Sequence, residues 1–156
     1  MTAAIGTGAS AGAVMLLTAA HHAYGAARFG TPWRYHVVWL SVWVIGALGL
    51  LLLLHVRGPK PFVRRAGLLA ACALVLLVPV VWIGLFEGGY NHVLKIVLYY
   101  GGFLREDFTR LFPPPRYEPP SDWLFELTGV LQLPLAGVAA YWALHLWRAG
   151  TRSVAR

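Results

Sequence analysis

The chain has 156 residues, 58% of them hydrophobic and 12% charged, with a formal net charge of +7. Ordinary soluble domains are about a quarter charged, and here the apolar residues come in long runs rather than at an amphipathic period, which excludes a conventional soluble fold. The Lys and Arg residues flank those runs, the placement that orients membrane helices, so the basic balance points to a lipid bilayer and to no nucleic acid.

A bilayer-crossing helix needs about 20 mostly apolar residues, and four stretches qualify. The first covers about residues 3–24. It is rich in small residues, and Gly8 and Gly12 have the G-x-x-x-G spacing that lets two helices approach closely. The second covers about residues 35–56 and carries no formal charge. The third covers about residues 66–86, with Pro79 inside it, where a missing N–H should bend the helix. The fourth covers about residues 123–147, with Glu126 near its start, Gln132 and Pro134 inside, and tryptophans at both ends in the manner of interfacial anchors. The fold class is thus an all-α integral membrane protein, a four-helix bundle forming a single membrane domain over residues 1–156. One cysteine, Cys72, lies in the third apolar run, where it cannot form an internal disulfide and reads as a small buried residue.

The connections are unequal. Residues 57–65 form a short basic hairpin. Residues 87–122 form a long loop, whose first part (YNHVLKIVLYYGGFL) is apolar enough to lie along the membrane interface and whose second part is proline-rich, with Pro113 to Pro115 acting as a stiff connector. Arg57, Lys60, Arg64 and Arg65 in the hairpin and Arg148, Arg152 and Arg156 in the tail fall on one side of a four-span chain. By the positive-inside rule that side is cytoplasmic, both termini lie there, and residues 87–122 lie outside.

This orientation gathers chemistry at the outer end. His21 and His22 end the first span, His36 starts the second, Glu87 and His92 follow the third, and Asp122 and Glu126 open the fourth. Ionisable groups at membrane depth are costly and are functional candidates by default. Imidazole and carboxylate together suit a transition metal such as Zn, Fe or Cu, with Tyr90, Asn91 and Asp122 as candidates to orient the ligands by hydrogen bonding. His21 and His22 project about 100° apart on a helix, so only one is expected to face a given centre. The competing reading of the same residues is interfacial: solvated histidines, and a Glu126 carboxylate set against the positive end of its helix dipole, with Ser121 or Asp122 as the N-cap.

A haem is disfavoured by spacing. His36 and His55 are 19 residues apart on one helix, about 28 Å at 1.5 Å per residue, nearly the full hydrocarbon thickness. Thr128 and Gln132, four apart, are placed to hydrogen-bond across helices. No P-loop, dinucleotide fingerprint, nucleophile elbow or C-x-x-C occurs. Two function classes stand: a membrane protein that binds a transition metal or small polar ligand at His21, His22, His36, Glu87, His92 and Glu126, and a non-enzymatic scaffold or accessory subunit that associates with its own copies or another membrane protein through Gly8, Gly12 and the outer loop.

Overall fold

The computed structural model describes residues 1–114 and 116–152. Pro115 of the proline run and Arg156 of the basic tail lie outside the described residues. The described chain is helical throughout, with no strand among the described residues. Helix α1 spans Thr2–Phe29 and stops where Gly30 turns left-handed (φ 64°), a conformation glycine adopts without a Cβ penalty. The Thr31 N–H then closes back on the Ala26 carbonyl at 3.0 Å. A single 3-10 turn, Pro32–Arg34, leads directly into α2 (Tyr35–Arg57). Gly58 ends α2, and Pro61 opens α3 (Pro61–Val75) at the first helical position, where its missing N–H costs nothing.

The third apolar stretch differs from the expectation. The helix that α3 begins does not end near residue 86. It widens to π winding over Leu76–Leu94 and closes as α4 (Lys95–Tyr100), one rod of 40 residues. Nothing in the sequence breaks it: no proline follows Pro79 until Pro113, and the rod stops only at the Gly101–Gly102 pair, where Gly102 has φ 79°. Pro79 lies inside the π stretch, so the helix passes a residue that has no N–H to donate by changing its winding. The segment expected to lie along the interface is instead the upper part of this rod, and the connecting loop begins at Gly101. It contains the short helix α5 (Arg105–Leu111) and ends at α6 (Trp123–Arg152), in which Pro134 is embedded.

Four of these rods are long and apolar enough to cross a membrane: Thr2–Phe29, Pro32–Arg57, Pro61–Tyr100 and Trp123–Thr151. Their packing is inverted relative to a soluble bundle. The centre is built from small residues such as Ala11, Ala71, Ala136, Ala139 and Ala143 around Val14, Met15, Val75 and Ile83. Large apolar side chains face outward, among them Trp43 at 74% exposure and Phe62 at 80%. Small faces bring backbones together, and van der Waals contact then carries the association. On α1, Gly6 lies directly against the Trp142 ring of α6 and Gly25 against Phe125, with no room for a Cβ at either. Gly8 faces Leu52 of α2, and a Cβ at Gly12 would meet nothing within 4 Å.

Ala4, Leu68, Cys72 and Leu146 pack together, so the start of α1, the turn into α3 and the last turns of α6 share one end of the bundle. That end carries His55 and His145. His55 Nδ1 bonds the Arg64 carbonyl at 3.1 Å, and His145 stacks on Tyr141. The opposite end holds the remaining histidines and the loop that covers them.

Candidate metal centre

The upper parts of α1, the π segment and α6 converge at this second end. His21 and His22 come from α1, Glu87, Asn91 and His92 from the π segment, and Glu126 and Thr128 from α6. Glu87 and His92 are five residues apart, which on an α-helix would separate them by about 140°. The i→i+5 pairing of a π helix brings such residues back to one face, and Glu87 and His92 therefore point the same way.

Three imidazole nitrogens surround one carboxylate oxygen. Nε2 of His22, His92 and His21 lie 3.6, 3.7 and 3.8 Å from Glu87 Oε1. These separations are too long for hydrogen bonds. They are close to the ligand-to-ligand edge of about 3.4 Å that metal–nitrogen bonds of about 2.1 Å produce in a tetrahedral site. The ligand atoms of His21, His22 and Glu87 all fall within 4.8 Å of one another. His92 stands just outside that group, on the free side of Glu87 Oε1.

The outer atoms of these groups are held. Asn91 Nδ2 donates to Glu87 Oε2 at 2.7 Å, fixing the carboxylate. The Thr128 hydroxyl donates to the Leu124 carbonyl at 2.8 Å, so its oxygen is left to accept from His21 Nδ1 at 2.9 Å. His92 Nδ1 donates to Glu126 Oε2 at 2.7 Å, and Glu126 Oε1 accepts from Lys95 Nζ at 2.8 Å. In His21 the proton therefore sits on Nδ1, and Nε2 turns a lone pair toward Glu87. The His21 ring is fully buried and stacked on Phe125 with centroids 4.1 Å apart, and its Nε2 has no hydrogen-bond partner among the described residues. A lone pair facing a carboxylate is repelled unless a positive charge, a metal ion or a protonated imidazole, lies beside them. Around the cluster Glu87, Glu118 and Glu126 face Arg34, Lys95 and Arg116, so the fixed side-chain charges balance.

The structure brings together His21, His22, Glu87 and His92, and both adjacent histidines reach the centre. Glu87 lies between their two directions, and their rings stand edge to face, 5.2 Å apart at 84°. Asn91 is hydrogen-bonded to Glu87. Glu126 sits one layer back, behind His92, as its anchor. His36 is exposed and bonded to the Trp33 carbonyl; it lines the adjoining cavity without joining the cluster. Tyr90 turns away to donate to the Leu111 carbonyl. Asp122 caps α6 through the Phe125 N–H at 3.0 Å and pairs with Arg28 at 2.8 Å.

Four further residues belong to the site. Lys95 is buried against Glu126. Arg34 is buried over Phe125, and its Nη2 bonds both Glu118 oxygens at 2.7 Å. Thr128 and Phe125 shape the His21 pocket. Thr128 carried a sequence signal through its spacing from Gln132, and Lys95 carried one as a cation inside an apolar helix three residues beyond His92. The loop closes over these groups. Phe112 is buried among Tyr90, Phe108 and Tyr117, and Tyr100 donates to the Pro120 carbonyl at 2.7 Å. A cavity of about 180 Å³ lies beside the cluster and reaches His22, Glu87 and His92.

No protein-family model matches this chain, and searches of curated proteins and of solved structures likewise gave no match.

Proposed function

We propose that this chain is a multi-pass membrane protein that binds one divalent transition metal through His21, His22 and Glu87, at the end of the bundle away from its basic turn. The observation that carries this reading is the set of three imidazole Nε2 atoms at 3.6–3.8 Å from Glu87 Oε1, with the His21 lone pair facing inward. Two imidazoles and one carboxylate are the donors of zinc sites and of non-haem iron sites that keep a position open for a further ligand. His92, anchored by Glu126, stands beside that open position. The His21 ring meets the His22 and His92 rings edge to face, which leaves no flat slot for a haem against it. The positive-inside rule puts Arg57, Lys60, Arg64, Arg65 and Arg148 in the cytoplasm, and the metal at the outer face.

Metal analysis of the detergent-purified protein after loading with Zn²⁺ or anaerobic Fe²⁺ tests the reading. One metal per chain is expected, and none in Glu87→Ala or His22→Ala. A folded protein that takes up no metal, or a Glu87→Ala variant that still binds it stoichiometrically, would overturn the metal reading in favour of a scaffold. Cysteines introduced at Lys60 and Arg110 should label from opposite sides of the membrane.

A further inference from the structure

The cavity beside the cluster has a direction. Helix α2 packs on α1 and on the lower part of the third rod, Pro61–Val75. Above that contact α2 and the π segment part, and the cavity fills the gap between them. Val37 and Leu40 of α2 form one wall, and Trp82, Ile83 and Phe86 of the π segment form the other. Trp82 and Phe86 are about half exposed on the outer surface of the bundle, the surface that faces lipid if the rods cross a bilayer. The rest of the same cavity is polar, formed by His22, Glu87 and His92, with Arg34, Lys95, Arg116 and Glu118 beside them.

We propose that this cleft admits a single-chain anionic amphiphile, a long-chain carboxylate, sideways from the lipid, with its head group at the open metal position and its chain between Leu40 and Phe86. The inference rests on the metal reading above. Two observations select the class. The apolar walls run from the exposed face of the bundle to the cluster, which suits a hydrocarbon chain rather than a water-borne solute. Charge selects the head group. Three carboxylates and three side-chain cations, Arg34, Lys95 and Arg116, balance around the cavity, and a divalent metal adds two positive charges, which favour an anionic head. A carboxylate is also a good ligand for zinc or ferrous iron. The cavity of about 180 Å³ holds the head group and the first carbons, and the rest of the chain lies along Trp82 and Phe86.

The test uses the full chain in a non-ionic detergent, loaded with Co²⁺, whose visible absorption bands report its ligands. Octanoate, acetate and 1-octanol are titrated separately. Octanoate is expected to change the spectrum saturably at a concentration at least about tenfold below acetate, since burying even a few methylenes gives that factor, and octanol is expected to leave it unchanged. Leu40→Trp, which fills the cleft, should remove the preference for octanoate while keeping the cobalt bands and the acetate response. If that variant does not fold, the chain-length series on the unaltered protein decides alone. Equal responses to acetate and octanoate would assign the position to small aqueous anions and overturn the proposal. A cobalt spectrum that no carboxylate alters would also overturn it and leave metal binding standing, whereas failure to bind cobalt would overturn both.

Discussion

Nε2 of His92 lies 3.7 Å from Oε1 of Glu87, although the two residues are five positions apart on one helix. The π winding of Leu76–Leu94 makes this possible, and the glycines of the same stretch let it lie tightly on α6. A Cβ at Gly88 would stand 2.9 Å from the Leu133 backbone nitrogen and 3.2 Å from the Gly129 carbonyl oxygen. Neither atom can swing away as a side-chain tip would. A Cβ at Gly129 would run into the His92 ring itself. Gly88→Ala is therefore expected to cost about 1–3 kcal/mol of stability as an overpacking change. Gly129→Ala is expected to displace His92, which is buried and anchored by Glu126, and so to cost stability as well. Thermal unfolding in detergent with and without Zn²⁺ separates these effects: Gly88→Ala lowers the apo midpoint, and Gly129→Ala reduces the shift that metal produces. An unchanged metal shift in Gly129→Ala would show that His92 does not act at the site.

Lys95 and Glu126 form the buried ion pair behind His92, at 2.8 Å, with 3% and 10% of their side chains exposed. Removing one member strands a charge in a low-dielectric setting, at a cost of about 3–5 kcal/mol. Lys95→Met should unfold at markedly lower temperature than the unaltered protein. The double change Lys95→Met with Glu126→Gln should recover much of that loss, because neither charge is left alone. Metal affinity gives a second readout. Glu126 fixes the His92 ring, and outer partners of this kind alter affinity by about 10–100-fold, so Glu126→Gln should weaken metal binding without abolishing it. Complete loss of metal in Glu126→Gln would instead make it a direct ligand.

Helix number and the end of the bundle that carries the site were legible because both follow from run length and charge placement, which are local properties. The histidine cluster was legible in part for the same reason: His21, His22, Glu87 and His92 each lie near the end of an apolar run. Three things were not legible. The reach of the third rod to Tyr100 depended on reading the Gly88–Gly89 pair as part of the helix rather than as a break, and only the α6 backbone facing Gly88 gives that glycine its packing role. The shared direction of Glu87 and His92 depended on π winding, which has no reliable sequence signature. The ranking of Glu126 behind His92 depended on the rotation of α6 about its axis. Arg34 and Glu118 are 84 positions apart, and neither one's neighbours announce the other.

Asp122 gives the outer end a pH dependence whose sign follows from its partners. The Phe125 backbone N–H, with help from Arg28 and Tyr24, holds its carboxyl below the usual aspartate value of 3.8. A depressed carboxyl stabilises the fold fully above 3.8, and that contribution disappears as the pH falls from there through the folded-state value. The thermal midpoint should accordingly decline below about pH 4, and Asp122→Asn should flatten the decline because it keeps the cap without the titrating group. Arg28 is more than half exposed, so salt screens its share, whereas the backbone bond persists. An acid decline of the same steepness in Asp122→Asn would place its origin in other carboxyls.

Gln132 lies one turn beyond Thr128 on α6 and is fully buried, yet neither atom of its amide has a hydrogen-bond partner among the described residues. Thr128 meets His21 across the helix interface, whereas the expected cross-helix bond from Gln132 does not form. A buried polar group without partners costs about 1–3 kcal/mol relative to an apolar group of the same shape. Gln132→Leu is therefore expected to raise the thermal midpoint and to leave metal binding unchanged, since Gln132 does not line the cavity that reaches the cluster. A lower midpoint would mean that the amide is satisfied by ordered water, and a loss of metal would extend the site one turn deeper into the bundle along α6.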